Sequence, residues 1–187
     1  MNSFTTLSWN AYAYYNAAAL LYRENKKSDN EFKSEADSGA NSITTMCAVN
    51  KPRDHLFAIA VELMGKAVIN EYEILLDPEQ VPRVDKYKHK FHKIHAKVKK
   101  ITEQYPNDIA IKFDPEQALL EKLAEIISWG SRYHYGGNPE DHLRKVCDGP
   151  HKFNKKANPN LSDKEIQSIV TLFRKYDEIY RFLFSVR

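Results

Sequence analysis

The chemistry that this chain could perform is concentrated around His89, which follows Arg83 by six residues. An arginine and a histidine that are brought together can cleave RNA without a metal ion. The imidazole takes a proton from a 2′-hydroxyl or gives one to the leaving oxygen, and the guanidinium stabilises charge on the phosphorane. RNA supplies the nucleophile itself through its 2′-hydroxyl. The same spacing is also typical of an exposed basic helix with ordinary histidines, so both interpretations stay open.

A positive charge is concentrated in the same segment. Residues 83–100 hold eight Lys and Arg against one acid, a net charge of +7. The rest of the chain has 20 basic and 24 acidic residues, which gives −4. A local field of this kind attracts phosphates, although a solvated helix face has a similar composition. The basic segment could therefore bind RNA with or without cutting it.

Metal and cofactor chemistry have less support in the sequence. Three histidines, His89, His92 and His95, fan round the predicted helix, so a tetrahedral zinc site would need further ligands. The two cysteines, Cys47 and Cys147, are too isolated to complete such a site. The chain has no glycine-rich phosphate loop, no G-x-S-x-G and no H-E-x-x-H. We therefore predict no metal and no cofactor.

The elements that must position these side chains are predicted to be helices. Six glycines in 187 residues are few for sandwiches, barrels or Rossmann sheets, and no segment shows sustained strand alternation. The sequence predicts an all-α bundle of about five main helices with an antiparallel up-down core. The predicted helices are Ser8–Asn25, Pro52–Leu76, Val84–Ile101, Asp114–Trp129 and Ser162–Phe184, with a short helix over 140–146.

Several of these boundaries are predicted from helix-start signals. Ser8 is a plausible N-cap, and Pro52 fits a first-turn position. Asp114, followed by a proline, and Ser162, followed three residues later by Glu165, are typical capping residues. The polar residues 27–42 predict a long, mobile connection, with a short helical piece within it as an alternative. Residues 130–139 predict a loop, and 151–160 an irregular segment.

Two patterns place the candidate residues on the helices. Glu62 and Lys66 interrupt an otherwise apolar helix at i and i+4, where their side chains meet, and they could simply be an ion pair that fixes packing. The basic helix has a narrow apolar seam towards the core, and His95 flanks that seam. His89 lies about 160° around the helix from Phe91 of the seam. We therefore expect His89 to face solvent or a second surface.

The central stretch resembles the HEPN superfamily, the "higher eukaryotes and prokaryotes nucleotide-binding" helical domains. His55–Ala67 is similar to that family's apolar helix with an embedded E-x3-K, and His89–Ile94 to its H-x-hydrophobic-x-x-hydrophobic signature. Arg83–His89 supplies R-x5-H, and Ser131–Tyr135 resembles the Arg-Tyr end of many members. The likeness covers residues 7–135.

The resemblance implies a ribonuclease pair, Arg83 and His89, with Glu62 and Lys66 as a polar pair beside it. It also implies a homodimer in which two copies of the pair line a shared cleft. With the basic segment, these features predict catalytic roles for Arg83, His89 and Glu62. The predicted RNA-binding residues are Lys66, Lys86, Lys88, His92, Lys93, Arg132 and Tyr133, although Arg132 and Tyr133 could instead anchor their loop.

We predict a bundle domain over residues 1–136, with a polar connection at 26–50, and a C-terminal extension over 137–187 whose long helix packs on the bundle. No membrane segment or secretory signal is visible, so a cytoplasmic protein is expected. The leading prediction is a metal-independent endoribonuclease, with the resemblance implying a toxin or phage-defence system. The alternatives are a non-catalytic dimerisation or RNA/nucleotide-binding module, and a partner of a nucleotidyltransferase-like protein. An antitoxin is a further possible protein partner.

Overall fold

A computed structural model describes residues 5–35, 42–79, 82–105, 114–134 and 161–187. These residues form five α-helices and one 3₁₀ helix, and these ranges contain no strand. The predicted all-α class is therefore confirmed for this part of the chain. The helices are α1 (Thr5–Glu35), α2 (Ser42–Leu76), α3 (Phe91–Thr102), α4 (Gln117–His134) and α5 (Asp163–Val186), and the 3₁₀ helix (Val84–Tyr87) precedes α3.

The centre of the fold is α2, which packs against all four other α-helices. It occupies this position because apolar side chains surround most of its circumference, so it can be buried on several sides at once. The seam that the sequence predicts on the basic segment is confirmed, and it packs into the same core. Buried core residues from α2 and the seam include Phe57, Val61, Met64, Val68, Val84, Phe91, Ile94, Val98 and Ile101.

The first helix runs antiparallel to the last. Near its start, the Ser8 hydroxyl donates to Tyr180 Oη at 3.2 Å, and further along, Tyr22 Oη donates to Asp163 Oδ1 at 3.1 Å. Ser8 is therefore not the N-cap that the sequence predicted, because the helix already begins at Thr5. The buried Ser8 side chain instead joins α1 to α5.

In contrast, α2 and α5 run in the same direction. Asp54 Oδ2 accepts the backbone N–H of Leu161 at 2.8 Å, just before α5, and Arg187 at its far end donates to Glu71 Oε1 at 3.0 Å. The antiparallel prediction thus describes α1 with α5, but not α2 with α5.

Both long N-terminal helices exceed their predicted bounds. The predicted connection over 27–42 is wrong for residues 27–35, which belong to α1, and for Ser42, which starts α2, while residues 36–41 lie outside the described part of the chain. The segment contains Lys and Glu, which favour a solvated helix about as well as most apolar residues do. Pro52 lies inside α2 rather than in its first turn. Helix-start preferences are weak enough for the surrounding turns to outweigh them.

The predicted start of α5 is confirmed, whereas the predicted start of α4 is not. The capping box of Ser162 and Glu165 is confirmed at the start of α5. The Asp114 carboxylate does not cap α4, which begins at Gln117, because it bonds to two side chains of α3 instead. Residues 130–134 belong to α4 and not to the predicted loop. The predicted short helix at 140–146 and the predicted irregular segment at 151–160 lie outside the described residues, as does the proposed domain boundary at 136/137.

Gly65 marks the closest approach of three helices. A Cβ atom on Gly65 in α2 would lie 2.5 Å from Ile94 Cγ2 of α3 and 3.0 Å from Tyr176 Cε2 of α5. No side chain fits there without displacing a neighbour, and both neighbours are buried. Glycine at this position therefore lets α3 lie against the part of α2 that carries Glu62 and Lys66.

We expect Gly65→Ala to lower the free energy of unfolding. The added methyl gains about 1 kcal/mol of helix propensity, but overpacking costs about 1–3 kcal/mol. Ile94 can move its Cγ2 only by leaving the χ1 rotamer that a β-branched residue strongly prefers in a helix. Urea unfolding measures the difference. Adding Ile94→Leu, which has no methyl on Cβ, should recover part of the loss. A Gly65→Ala protein more stable than the unmodified protein would contradict this packing.

Candidate functional site

The site is built on Glu62, a carboxylate buried in the middle of α2. Lys66, one turn later, places its Nζ 2.5 Å from Glu62 Oε1. The Glu62 side chain is only 6% exposed, and the Lys66 side chain is 11% exposed. A carboxylate removed from water is costly unless a cation and hydrogen bonds compensate it, and Lys66 supplies both for one oxygen. The i to i+4 contact that the sequence predicts is confirmed.

The second oxygen of Glu62 is bonded to His89. The Nδ1 atom of His89 lies 2.8 Å from Glu62 Oε2, while half of the His89 side chain remains exposed. His89 reaches Glu62 from a turn and not from a helix, since α3 begins only at Phe91. The predicted continuous helix over Val84–Ile101 is therefore wrong, whereas the predicted exposure of His89 is confirmed for half of its side chain.

This hydrogen bond determines what the imidazole can do. A carboxylate only accepts hydrogen bonds. Nδ1 of His89 therefore carries the ring proton and donates a hydrogen bond to Glu62. In the neutral ring, the lone pair is then on Nε2. A carboxylate in this position also fixes the orientation of the ring. An imidazole that is oriented in this way at the protein surface has the geometry that a general acid or base needs.

Arg83, the other half of the predicted pair, is placed less specifically. It directly precedes the 3₁₀ helix, its side chain is exposed, and no hydrogen bond or ion pair joins it to another described residue. The buried Val84 fixes the backbone beside it. The structure therefore leaves Arg83 available to a ligand, on the segment that leads to His89.

The predicted RNA-binding residues fall into different environments. Lys66 holds its ammonium group on Glu62, which fits the polar pair better than a contact with RNA. Lys86 is paired with Glu73 at 3.3 Å and lies over the Tyr87 ring.

The remaining predicted contacts are exposed or undescribed. Lys88, His92 and Lys93 are exposed, and no ion pair joins them to the described residues. Arg132 and Tyr133 lie in α4, but their side chains lie outside the described part of the structure. Among the predicted RNA contacts, the exposed side chains are therefore Lys88, which is next to His89, and His92 and Lys93 of α3.

Sequence reasoning missed a second histidine cluster, centred on the buried His95. Its Nε2 lies 2.9 Å from Asp114 Oδ1, and its Nδ1 lies 2.9 Å from the Tyr176 hydroxyl. Burial raises the pKa of Tyr176 well above its ordinary value. The phenol therefore donates to Nδ1, and Nε2 donates to the carboxylate. The position of His95 next to the apolar seam was the available signal for its burial.

The His95 cluster fastens α3 to α4 and α5. Asp114 precedes α4 and also bonds to Lys99 of α3, with Nζ 2.5 Å from Oδ2. Tyr176 is buried in α5. Both nitrogens of His95 are thus occupied by protein groups, and the ring has no free nitrogen for a substrate. We interpret this cluster as structural, and it holds α3 in the position that the turn before it requires.

The Asp114 carboxylate predicts an acid-dependent loss of stability. The hydrogen bond from Lys99, and then the one from His95, hold the pKa of Asp114 below its ordinary value of 3.8. The folded protein therefore binds this proton less tightly than the unfolded chain does, so the contribution is present above about pH 4 and is lost as pH falls through the lower folded-state pKa. We expect Asp114→Asn to unfold with a shallower pH dependence between about pH 4 and 2. Identical acid profiles in denaturant titrations would contradict it.

Three further observations concern metal binding, membrane spans and known proteins. The described residues contain no group of three or more His, Cys, Asp or Glu that could hold a metal ion. No helix among the described residues has both the length and the apolar character that a membrane crossing needs. In comparisons with known proteins, no family model, curated protein or solved structure matches the chain. The functional argument therefore depends on the geometry of the site.

Proposed function

We propose that this protein is a HEPN-like, metal-independent endoribonuclease in which His89 transfers protons and Glu62 orients it. The observation that carries the proposal is the 2.8 Å contact between His89 Nδ1 and Glu62 Oε2, with the imidazole half exposed. This arrangement supplies what a general base needs, which is a fixed ring with one nitrogen available to a substrate. A buried carboxylate that did no more than stabilise the fold would not need an exposed imidazole as its second partner.

In the proposed reaction, Nε2 of His89 takes the proton of a 2′-hydroxyl. The 2′-oxygen attacks the adjacent phosphorus, and the bond to the 5′-oxygen breaks, which leaves a 2′,3′-cyclic phosphate and a 5′-hydroxyl. The leaving oxygen takes a proton from an imidazolium, either His89 or its counterpart in a second copy. Arg83 is the nearest arginine along the chain, no described residue engages its guanidinium, and it stabilises the extra charge on the phosphorane.

The proposal includes a homodimer, which follows from the HEPN resemblance and not from any contact in the structure. A half-exposed His89 on the protein surface is compatible with a cleft formed by two copies. The role in a toxin or phage-defence system, with an antitoxin as a possible partner, and a cytoplasmic location are further parts of the same proposal.

The test is RNA cleavage by the purified protein in the presence of EDTA. We expect fragments that end in a 2′,3′-cyclic phosphate and begin with a 5′-hydroxyl, which end-labelling and mass spectrometry can identify. Fragments that end in a 3′-hydroxyl, or cleavage that disappears when EDTA is added, would contradict the proposed use of the 2′-hydroxyl by His89.

A second candidate function is an RNA-binding module that does not cut. It is favoured by the exposed cations of the basic segment, of which Lys88, Lys90, Lys93 and Lys100 have no ion pair within the described residues. Binding through such charges weakens steeply with salt, because each neutralised phosphate releases counterions. Salt-dependent binding of an RNA that remains intact would favour this function over the nuclease.

A further inference from the structure

The backbone immediately before His89 has an unusual conformation. Lys88 has φ 43° and ψ −133°, and it is the single non-glycine residue with positive φ in the described ranges. The Lys90 N–H donates to the Tyr87 carbonyl at 3.0 Å, which closes a four-residue turn over 87–90. The Lys88 angles are close to those of the first central residue of a type II′ turn, about +60° and −120°, where glycine is strongly preferred.

The Lys88 side chain does not compensate for this strain. It is exposed, and it forms no hydrogen bond or ion pair with the described residues. An L-residue at positive φ brings its Cβ close to the backbone, and such a conformation persists only when the surrounding structure imposes it. Strained backbone of this kind is often found where a functional side chain must be held.

Buried residues on both sides of the turn impose it. Before the turn, Val84 is buried in the core, and after it, Phe91 is buried at the start of α3. Only three residues, 88–90, connect the 3₁₀ helix to α3. A continuous helix through these residues would carry His89 to the side opposite Phe91, which is away from the core. The turn brings His89 to the buried Glu62 instead.

We infer that Lys88 is a positioning residue, whose left-handed backbone conformation directs the His89 imidazole onto Glu62. The relevant property of Lys88 is its backbone and not its charge. The catalytic consequence rests on the proposed ribonuclease function, whereas the positioning itself does not. A residue that adopts positive φ easily should therefore preserve the site, and a residue that resists it should release His89.

Three variants separate the backbone from the charge. Lys88→Gly and Lys88→Gln both remove the charge, but only glycine relieves the strain. We expect K88G to have a folding equilibrium constant at least about fivefold higher than that of K88Q, a net gain after the entropy cost of glycine. Lys88→Val, which is β-branched, should be less stable than K88Q. Denaturant unfolding measures all three.

The position of His89 is read separately, from the nitrogen chemical shifts of its ring in NMR spectra. In the unmodified protein, K88G and K88Q, we expect the neutral tautomer with the proton on Nδ1, because Glu62 accepts it. In K88V, this tautomer should give way to the mixture of an unconstrained histidine. If cleavage is present, K88V should lose on the order of 10- to 100-fold in kcat relative to K88Q, as misplaced catalytic groups do.

The unfolding and NMR measurements need no RNA, so they remain informative if the protein turns out not to cleave RNA. The inference is overturned if K88G is no more stable than K88Q. It is also overturned if a folded K88V keeps the Nδ1-protonated tautomer. Should K88V fail to fold, the comparison of K88G with K88Q still decides whether Lys88 is strained.

Discussion

Replacing His89 by glutamine is expected to slow RNA cleavage by about 10²–10⁴-fold and to leave the fold intact. Glutamine can still donate a hydrogen bond to Glu62, but it has no nitrogen lone pair that can take a proton at neutral pH. The fold should tolerate the change because half of the His89 side chain is exposed. Single-turnover cleavage rates at saturating protein measure the chemical step.

A matched control distinguishes this effect from a general loss of positive charge. Arg174 is an exposed cation of α5, and no ion pair joins it to the described residues. Arg174→Gln should cleave RNA at the rate of the unmodified protein. His89→Gln and the unmodified protein should also bind RNA similarly, since the loss concerns the proton transfer. Equal cleavage by His89→Gln would remove His89 from the mechanism and leave the RNA-binding module as the better function.

The sequence was informative where the physics is local. The contact of Glu62 with Lys66 follows from helical spacing, and the capping box of Ser162 with Glu165 follows from a four-residue pattern. The buried seam, including Phe91, follows from alternating steps of three and four residues. In each case, the interacting residues are close in the sequence, so periodicity alone brings them together.

The site itself depends on a feature that periodicity cannot represent. The hydrophobic pattern continues smoothly from Val84 into α3, so it predicts an unbroken helix. The interruption comes from the positive φ of Lys88, a residue type that gives no turn signal. The sequence therefore selected His89 and Glu62 as candidates and predicted an exposed His89, but the periodicity did not predict the turn that brings Nδ1 of His89 to Glu62.

The His95 cluster was missed for a different reason. Asp114 lies 19 residues after His95 in the chain, and Tyr176 lies 81 residues after it. Asp114 followed by proline is also a good capping signal, which gave its carboxylate a local explanation. Tertiary hydrogen bonds to two α3 side chains outweighed that local preference. No single-sequence pattern reports which distant side chain will occupy a given acceptor.

The largest effect on stability is expected from Lys66→Met, which leaves the Glu62 carboxylate buried without its lysine. Breaking a buried pair from one side costs about 3–5 kcal/mol, because the remaining charge is uncompensated. We expect a loss near about 3 kcal/mol, at the low end of that range, because His89 still bonds to Glu62 Oε2. Denaturant unfolding with a constant m-value measures this loss.

Two comparisons connect that loss to the buried charge. Lys122 pairs with Glu165 at a similar distance, 2.8 Å, but the two side chains are 25% and 29% exposed, so Lys122→Met should cost at most about 1 kcal/mol. The double variant Glu62→Gln with Lys66→Met removes both charges and should recover most of the stability lost in Lys66→Met. It should cleave RNA more slowly than the folded Lys66→Met protein, because a neutral amide no longer stabilises the imidazolium of His89. If the double variant regained stability and cleaved RNA as fast as the unmodified protein, the carboxylate would have no part in catalysis, and Glu62 would serve the fold alone.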